Sequence, residues 1–167
     1  MTLPRPTLIL LATLGSVALL GGAFAFQYIG GLAPCQLCLY QRWPHAAAIL
    51  IGVIAYATGW RGLAWAGALA ALATAAIGVF HVGVEQLWWE GLATCTAGSI
   101  EGISASDLLD PTKDVASVVR CDEIAWSMLG ISMGGWNVII SRVLAGIWVR
   151  ALISSSAMPS QKYSWSF

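Results

Sequence analysis

Cys35 and Cys38 stand three residues apart in "PCQLCLYQRWPH", with Arg42 four positions after the second cysteine and His45 three further on. Two more cysteines, Cys95 and Cys121, lie far downstream. Cysteines in such a pattern serve a few chemistries. A structural zinc site pairs two Cys-x-x-Cys units, or joins one to two histidines. Cys95 and Cys121 are too far apart to form a second unit, and His45 and His81 fall in or near apolar segments, so no metal site is expected. Covalent haem attachment needs histidine directly after the second cysteine; Leu39 stands there instead. Redox chemistry explains more. Thiol–disulfide exchange passes through mixed disulfides, and four cysteines can pair in three ways.

The placement of the pair matters as much as its spacing. A Cys-x-x-Cys at a helix N-terminus feels the helix dipole, which favours thiolate. If the helix starts near Pro34, whose missing N–H costs nothing at the first helical position, Cys38 and Arg42 share a face. Arg42 would then favour a Cys38 thiolate. His45 would lie on the same face, and Pro44 removes one helical hydrogen bond and favours a kink. Plainer readings exist. An arginine at the end of a membrane span often only reaches for the headgroups, and Cys95 and Cys121 could simply staple a loop. An exposed pair in a loop can exchange with soluble proteins. A buried pair at a membrane edge cannot easily do so, but can meet a lipid-soluble oxidant.

The elements that must position these residues follow from composition. The chain of 167 residues is 58% hydrophobic and 10% charged, against about a quarter charged in soluble domains. A formal net charge of zero argues against a nucleic-acid partner, which favours a basic face. Crossing a bilayer takes about 20 mostly apolar helical residues. Four stretches qualify, at about residues 7–26, 35–58, 63–84 and 133–153. The expected fold is therefore an all-α membrane protein, a four-transmembrane-helix bundle with a long outer loop, about 88–132, between helices 3 and 4. Residues 1–153 form one membrane domain on this reading, and 154–167 a loose cytoplasmic tail. Residues 1–25 also resemble a secretory signal peptide, but the apolar run, about 20 residues, exceeds the usual core of about 7–15. Basic residues set orientation. Arg5, Arg61, Arg150 and Lys162 fall on one side, against Arg42, Lys113 and Arg120 on the other. The termini are thus placed in the cytoplasm and all four cysteines on the opposite face, where thiols tend to be oxidised. Small residues crowd span three ("GLAWAGALAALATAAIG") and allow close helix packing in lipid. Trp43, Trp88, Trp89 and Trp136 sit near outer span ends, as interfacial aromatics do. The loop centre, "SASDLLDPTKDVASVVR", has a weak amphipathic pattern.

With "CQLCLYQR", an outer loop holding two cysteines, four spans and the run "MLGISMGGW" entering the fourth, the chain resembles the DsbB family of bacterial disulfide bond formation proteins. The resemblance covers nearly the whole chain. The DsbA–DsbB–quinone system keeps the bacterial periplasm oxidising. The resemblance implies an inner-membrane protein-disulfide oxidoreductase that reoxidises a DsbA-like periplasmic thioredoxin-fold protein and passes the electrons to quinone. Cys95 matches the position of the mixed disulfide with that partner, and Cys121 is its loop partner. Cys35 receives the electrons, Cys38 contacts the quinone, and Arg42 binds and polarises it. His81 falls one residue out of register with a histidine of the family's quinone site and is a further candidate. Ubiquinone is the implied acceptor, with menaquinone as substitute.

Two other functions fit parts of the pattern. A vitamin K epoxide reductase-like protein also couples disulfides to a quinone, but there the Cys-x-x-Cys follows the loop cysteines. A membrane scaffold with a disulfide-braced loop needs no chemistry. Arg142, inside span four, suggests function or a buried partner, or else a span shifted towards its N-terminus. His81 and Glu85 stand one helical turn apart and could bond each other.

Overall fold

A computed structural model describes residues 3–96 and 119–154. Four long helices build it: α1 (Arg5–Tyr28), α2 (Gln36–Thr58), α3 (Leu63–Glu85) and, after a short helix α4 (Ala93–Thr96) and a two-stranded hairpin, α5 (Met133–Ile153). All four are long and apolar enough to cross a membrane, with mean hydropathy from 1.2 to 2.2. The chain is thus a four-helix membrane protein with a long loop between its third and fourth spanning helices. Lys113 and most of the amphipathic stretch proposed for the loop centre, like the tail with Lys162, lie outside the described residues.

The helices close a ring: α1 packs on α2, α2 on α3, α3 on α5, and α5 back on α1. Small residues let them approach. Ala64, Gly67, Ala68, Ala71, Ala75 and Gly78 repeat at three- and four-residue steps along α3, and all are buried. Against this stripe lies Trp148 of α5, fully buried. A Cβ at Gly67 would meet the Trp148 ring at 2.5 Å, so this crossing requires glycine. The bulky side chains point outwards instead. Leu14, Leu50, Val53, Leu69 and Val143 are each about half exposed or more. That inversion suits lipid, where burial of large apolar groups is no longer what holds helices together. Arg142 lies on this exposed side, midway along α5, and no buried partner meets it among the described residues.

The ends are tied off by polar groups. Arg61, in the link from α2 to α3, donates to the carbonyls of Leu152 and Ser154 at 2.8 and 3.0 Å. A cation there satisfies orphan carbonyls and the negative end of the α5 dipole. At the other end, β1 (Ser127–Met128) and β2 (Ile131–Ser132) pair antiparallel across Leu129 and Gly130. Both turn residues have positive φ, as a tight two-residue hairpin demands. This hairpin delivers Ser132 as the N-cap of α5, where its hydroxyl accepts from the Gly135 N–H at 3.1 Å.

Candidate functional site

The site gathers where α2 begins. Cys35 is the N-cap of α2: its sulfur accepts from the Cys38 N–H at 3.3 Å, a role usually filled by Ser, Thr, Asp or Asn. Pro34 therefore stands one residue before the cap, not at the first helical position. The free sulfurs of Cys35 and Cys38 lie 2.9 Å apart. Cys35 is buried and Cys38 half-buried.

His81, one turn before the end of α3, reaches the same sulfur, with Nε2 3.5 Å from Cys35 Sγ. Its other nitrogen, Nδ1, is 3.0 Å from Gln41 Nε2. The Gln41 amide nitrogen is a donor, because it also bonds the Leu37 carbonyl at 3.2 Å. Nδ1 of His81 therefore accepts, and the ring proton sits on Nε2, aimed at the sulfur and at Glu85 Oε1, 3.6 Å away. Glu85 in turn accepts from the Ser132 hydroxyl at 2.5 Å. The turn-spaced pair His81 and Glu85 thus meets, and the cysteine joins it. Gly134 makes room: a Cβ there would lie 3.0 Å from His81 Nδ1.

The donors that reach the thiol pair, His81 and the Cys38 N–H, converge on Cys35. Arg42 is held by α1, donating to Gln27 Oε1 at 2.5 Å and to the Ala23 carbonyl at 3.3 Å, with its guanidinium 4.9 Å from the Phe24 ring centre. No spacing within α2 could reveal a partner contributed by another helix. Arg42 and Cys38 nonetheless share one cavity, together with Cys35, His45, His81 and Glu85.

Cys95 and Cys121 form a disulfide, with Cα atoms 5.2 Å apart. Both are fully buried, in one apolar cluster with Cys35, Leu37 and Val84. The expectation of an exposed loop pair is therefore corrected. The chain from Val119 onwards folds over the ends of α2 and α3, and the disulfide packs against Val84 there. Beside it, Arg120 forms a charge-assisted pair with Asp122. That hydrogen bond holds the half-buried Asp122 carboxyl below its ordinary range.

A second polar cluster lies one turn deeper, and the spacing argument overlooked it. Asn137 of α5 donates from Nδ2 to Gln41 Oε1 at 2.7 Å and to Thr74. Its Oδ1 lies 2.9 Å from His45 Nε2 and accepts from the Ser141 hydroxyl at 3.3 Å. Gln41, His45, Thr74 and Ser141 are all buried. Polar side chains inside apolar spans are the signal that finds such a cluster. The helix runs on unbroken through Pro44.

The cavity has a volume of about 420 Å³, within the range of small-molecule sites. Its wall is mainly apolar, from Leu19, Phe26, Trp126 and Ile140, with the polar groups above at intervals. Two of those atoms, Arg42 Nε and His45 Nδ1, are buried with no partner among the described residues. A flat, largely apolar ring with polar oxygens, such as a quinone, fits that wall. The donor atoms of Cys35, Cys38 and His81 also lie within 4.8 Å of one another, so the expectation that the histidines stand apart from the cysteines does not hold for His81. Among the described residues this group supplies three ligands, fewer than the four of a structural zinc site and the number found in catalytic ones.

A spanning bundle that buries a disulfide against a thiol pair defines a class, the membrane-embedded thiol–disulfide oxidoreductases. The chain belongs to the DsbB family: the profile described as "Disulfide bond formation protein DsbB" matches residues 5–151. It is 36% identical to a disulfide bond formation protein B of Methylococcus capsulatus, over 83% of this chain and 89% of that one. Identity to a protein of the same description from Hahella chejuensis is 28%, over 90% and 95% of the two chains. For one from Chromohalobacter salexigens it is 32%, over 81% and 83%. No solved structure matches the chain significantly.

Proposed function

We propose that the protein is a single-domain inner-membrane enzyme that reoxidises a DsbA-like thioredoxin-fold partner and delivers the electrons to ubiquinone or menaquinone. Its termini then face the cytoplasm and its cysteines the periplasm. The observation that carries this reading is the shared burial of both cysteine pairs beside a cavity that also takes in Arg42.

On this reading the partner's thiolate attacks the sulfur of Cys95. The Cys95–Cys121 bond breaks, a mixed disulfide forms, and the partner's second thiol resolves it. The partner leaves oxidised, and Cys95 and Cys121 are left as thiols. Cys121 then attacks an oxidised Cys35–Cys38 pair at Cys35, and Cys95 closes the loop disulfide again. Two electrons have moved from the partner's dithiol to Cys35 and Cys38. A closed loop disulfide beside two free thiols, as found here, is the state this order leaves behind.

The quinone, when bound, accepts two electrons and two protons. Cys38, the less buried of its pair, is the sulfur that would hand them on, the two thiols losing two electrons and two protons as the Cys35–Cys38 disulfide forms again. Arg42, oriented by Gln27 and Ala23, presents a fixed positive charge to the cavity, where it favours negative charge on a ligand oxygen. The N–H of His81 and the N–H of Cys38 both point at Cys35 and favour its thiolate as leaving group. Because the loop disulfide is buried, attack on Cys95 requires the covering chain to move aside.

The test is quinone reduction driven by the reduced partner. Purified protein should carry quinone, and Cys38→Ser should abolish turnover while Cys95 still forms a trappable mixed disulfide. Undiminished turnover in Cys38→Ser would sink the relay.

A further inference from the structure

The orientation of every amide in the deeper polar cluster is set by two backbone carbonyls. Gln41 Nε2 bonds the Leu37 carbonyl, so that nitrogen is the donor and Oε1 the acceptor. Asn137 Nδ2 faces both Gln41 Oε1 and the Thr74 carbonyl, so its nitrogen too is assigned by two acceptors. Asn137 Oδ1 is then an acceptor, and the nitrogen that meets it, His45 Nε2, must carry the ring proton. A neutral imidazole has one donor nitrogen and one acceptor nitrogen. Nδ1 of His45 is therefore a bare lone pair. It is buried, with no partner among the described residues, in a residue 3% exposed that lines the cavity.

Arg42 and His45 thus offer opposite chemistry from neighbouring turns of α2. Arg42 is donor-only and suits the carbonyl oxygen of a quinone. The lone pair of His45 gains nothing from a carbonyl, which brings another acceptor. It pairs with a hydroxyl. We propose that His45 is a hydrogen-bond acceptor for the hydroxyl of a hydroquinone, so that the cavity recognises the reduced form of its ligand at this residue as well as the oxidised form at Arg42. The proposal rests on the quinone reading above. His45 and Asn137 then act as one unit, Asn137 fixing the tautomer and His45 Nδ1 touching the ligand. The same geometry makes Nδ1 a place where a proton of the departing hydroquinone is held by a hydrogen bond and not released into the apolar bundle.

The experiment compares binding of a soluble short-chain hydroquinone with that of its dimethyl ether, which keeps the ring and loses both hydroxyls, to the full chain in detergent micelles. Wild type should prefer the hydroquinone by about five- to tenfold, the worth of one neutral hydrogen bond. His45→Leu should erase the preference, and His45→Gln, which restores a carbonyl acceptor, should recover part of it. An unchanged preference in His45→Leu overturns the proposal. Failure of wild type to bind the hydroquinone, its ether or the parent quinone overturns the quinone reading itself, a separate outcome. Nitrogen NMR of wild type reads the His45 tautomer without a substitution at His45. The chain has two histidines, and His81→Asn assigns them. His45 should show an unprotonated Nδ1 that shifts on adding hydroquinone; a protonated Nδ1 beside a bare Nε2 overturns the tautomer argument.

Discussion

Replacing Asn137 by leucine removes the hub of the buried polar cluster while keeping the same branched side-chain shape, so no cavity is opened to confuse the result. The loss can be followed partner by partner. Thr74 keeps its own bond to the Gln41 carbonyl at 3.1 Å. The Ser141 hydroxyl can turn to the backbone carbonyl one turn earlier on α5. Two groups have no such recourse: Gln41 Oε1 loses its donor, and His45 Nε2 its acceptor. An unsatisfied buried polar group costs about 1–3 kcal/mol in soluble proteins, but hydrogen bonds between membrane helices average about 0.6 and reach about 1.7 kcal/mol. Two orphans near the upper membrane figure give a loss of about 2–3 kcal/mol. Unfolding in mixed micelles by titration with sodium dodecyl sulfate, followed by tryptophan fluorescence, measures it. Adding Gln41→Leu removes one orphan altogether, so the double variant should lose about 1 kcal/mol less than the sum of the singles. A loss below about 0.5 kcal/mol for Asn137→Leu, the scale of surface substitutions, would refute the reasoning that this cluster is a fixed hydrogen-bonded unit.

Three other outcomes follow from the packing and the ends of the helices. Gly67→Leu drives a side chain into the Trp148 ring and should destabilise the bundle by about 1–3 kcal/mol or more, with partial rescue by Trp148→Leu in the same unfolding assay. Arg61→Gln removes a cation from the carbonyls of Leu152 and Ser154. It should cost about 1 kcal/mol and speed amide hydrogen exchange in the last turn of α5. The Asp122 carboxyl, lowered by its hydrogen bond to Arg120, contributes stability above the unfolded carboxylate value of about 3.9. That contribution fades as pH falls through its lowered folded value. Carbon NMR titration should return Asp122 to the ordinary range in Arg120→Gln.

Four apolar windows were enough to read the membrane bundle, because lipid forces helices that satisfy their own backbone. The small-residue stripe of α3 was legible as a packing face for the same reason. The site was legible in its parts and not in its assembly. Cys35, Cys38 and Arg42 sit within two turns of one helix, so spacing placed them together. Their partners come from elsewhere: Gln27 from α1, His81 from α3, Asn137 from α5. Spacing along one helix does not show what other helices bring, so the shared face of Cys38 and Arg42 was legible, but the tie of Arg42 to α1 and the partner of His45 were not. Burial of the Cys95–Cys121 disulfide was hidden for another reason. Polar, acidic sequence marks a loop, but not whether its apolar exceptions fold back against the helix ends.

Cys35 holds two posts. Its sulfur anchors the first turn of α2, and in the proposed cycle the same sulfur must bond to Cys121. While that bond lasts the sulfur is neutral and a weaker acceptor for the Cys38 N–H. In that cycle the start of α2 is a mechanical gauge of the electron count, slackening as charge crosses from loop to membrane and tightening once it has passed.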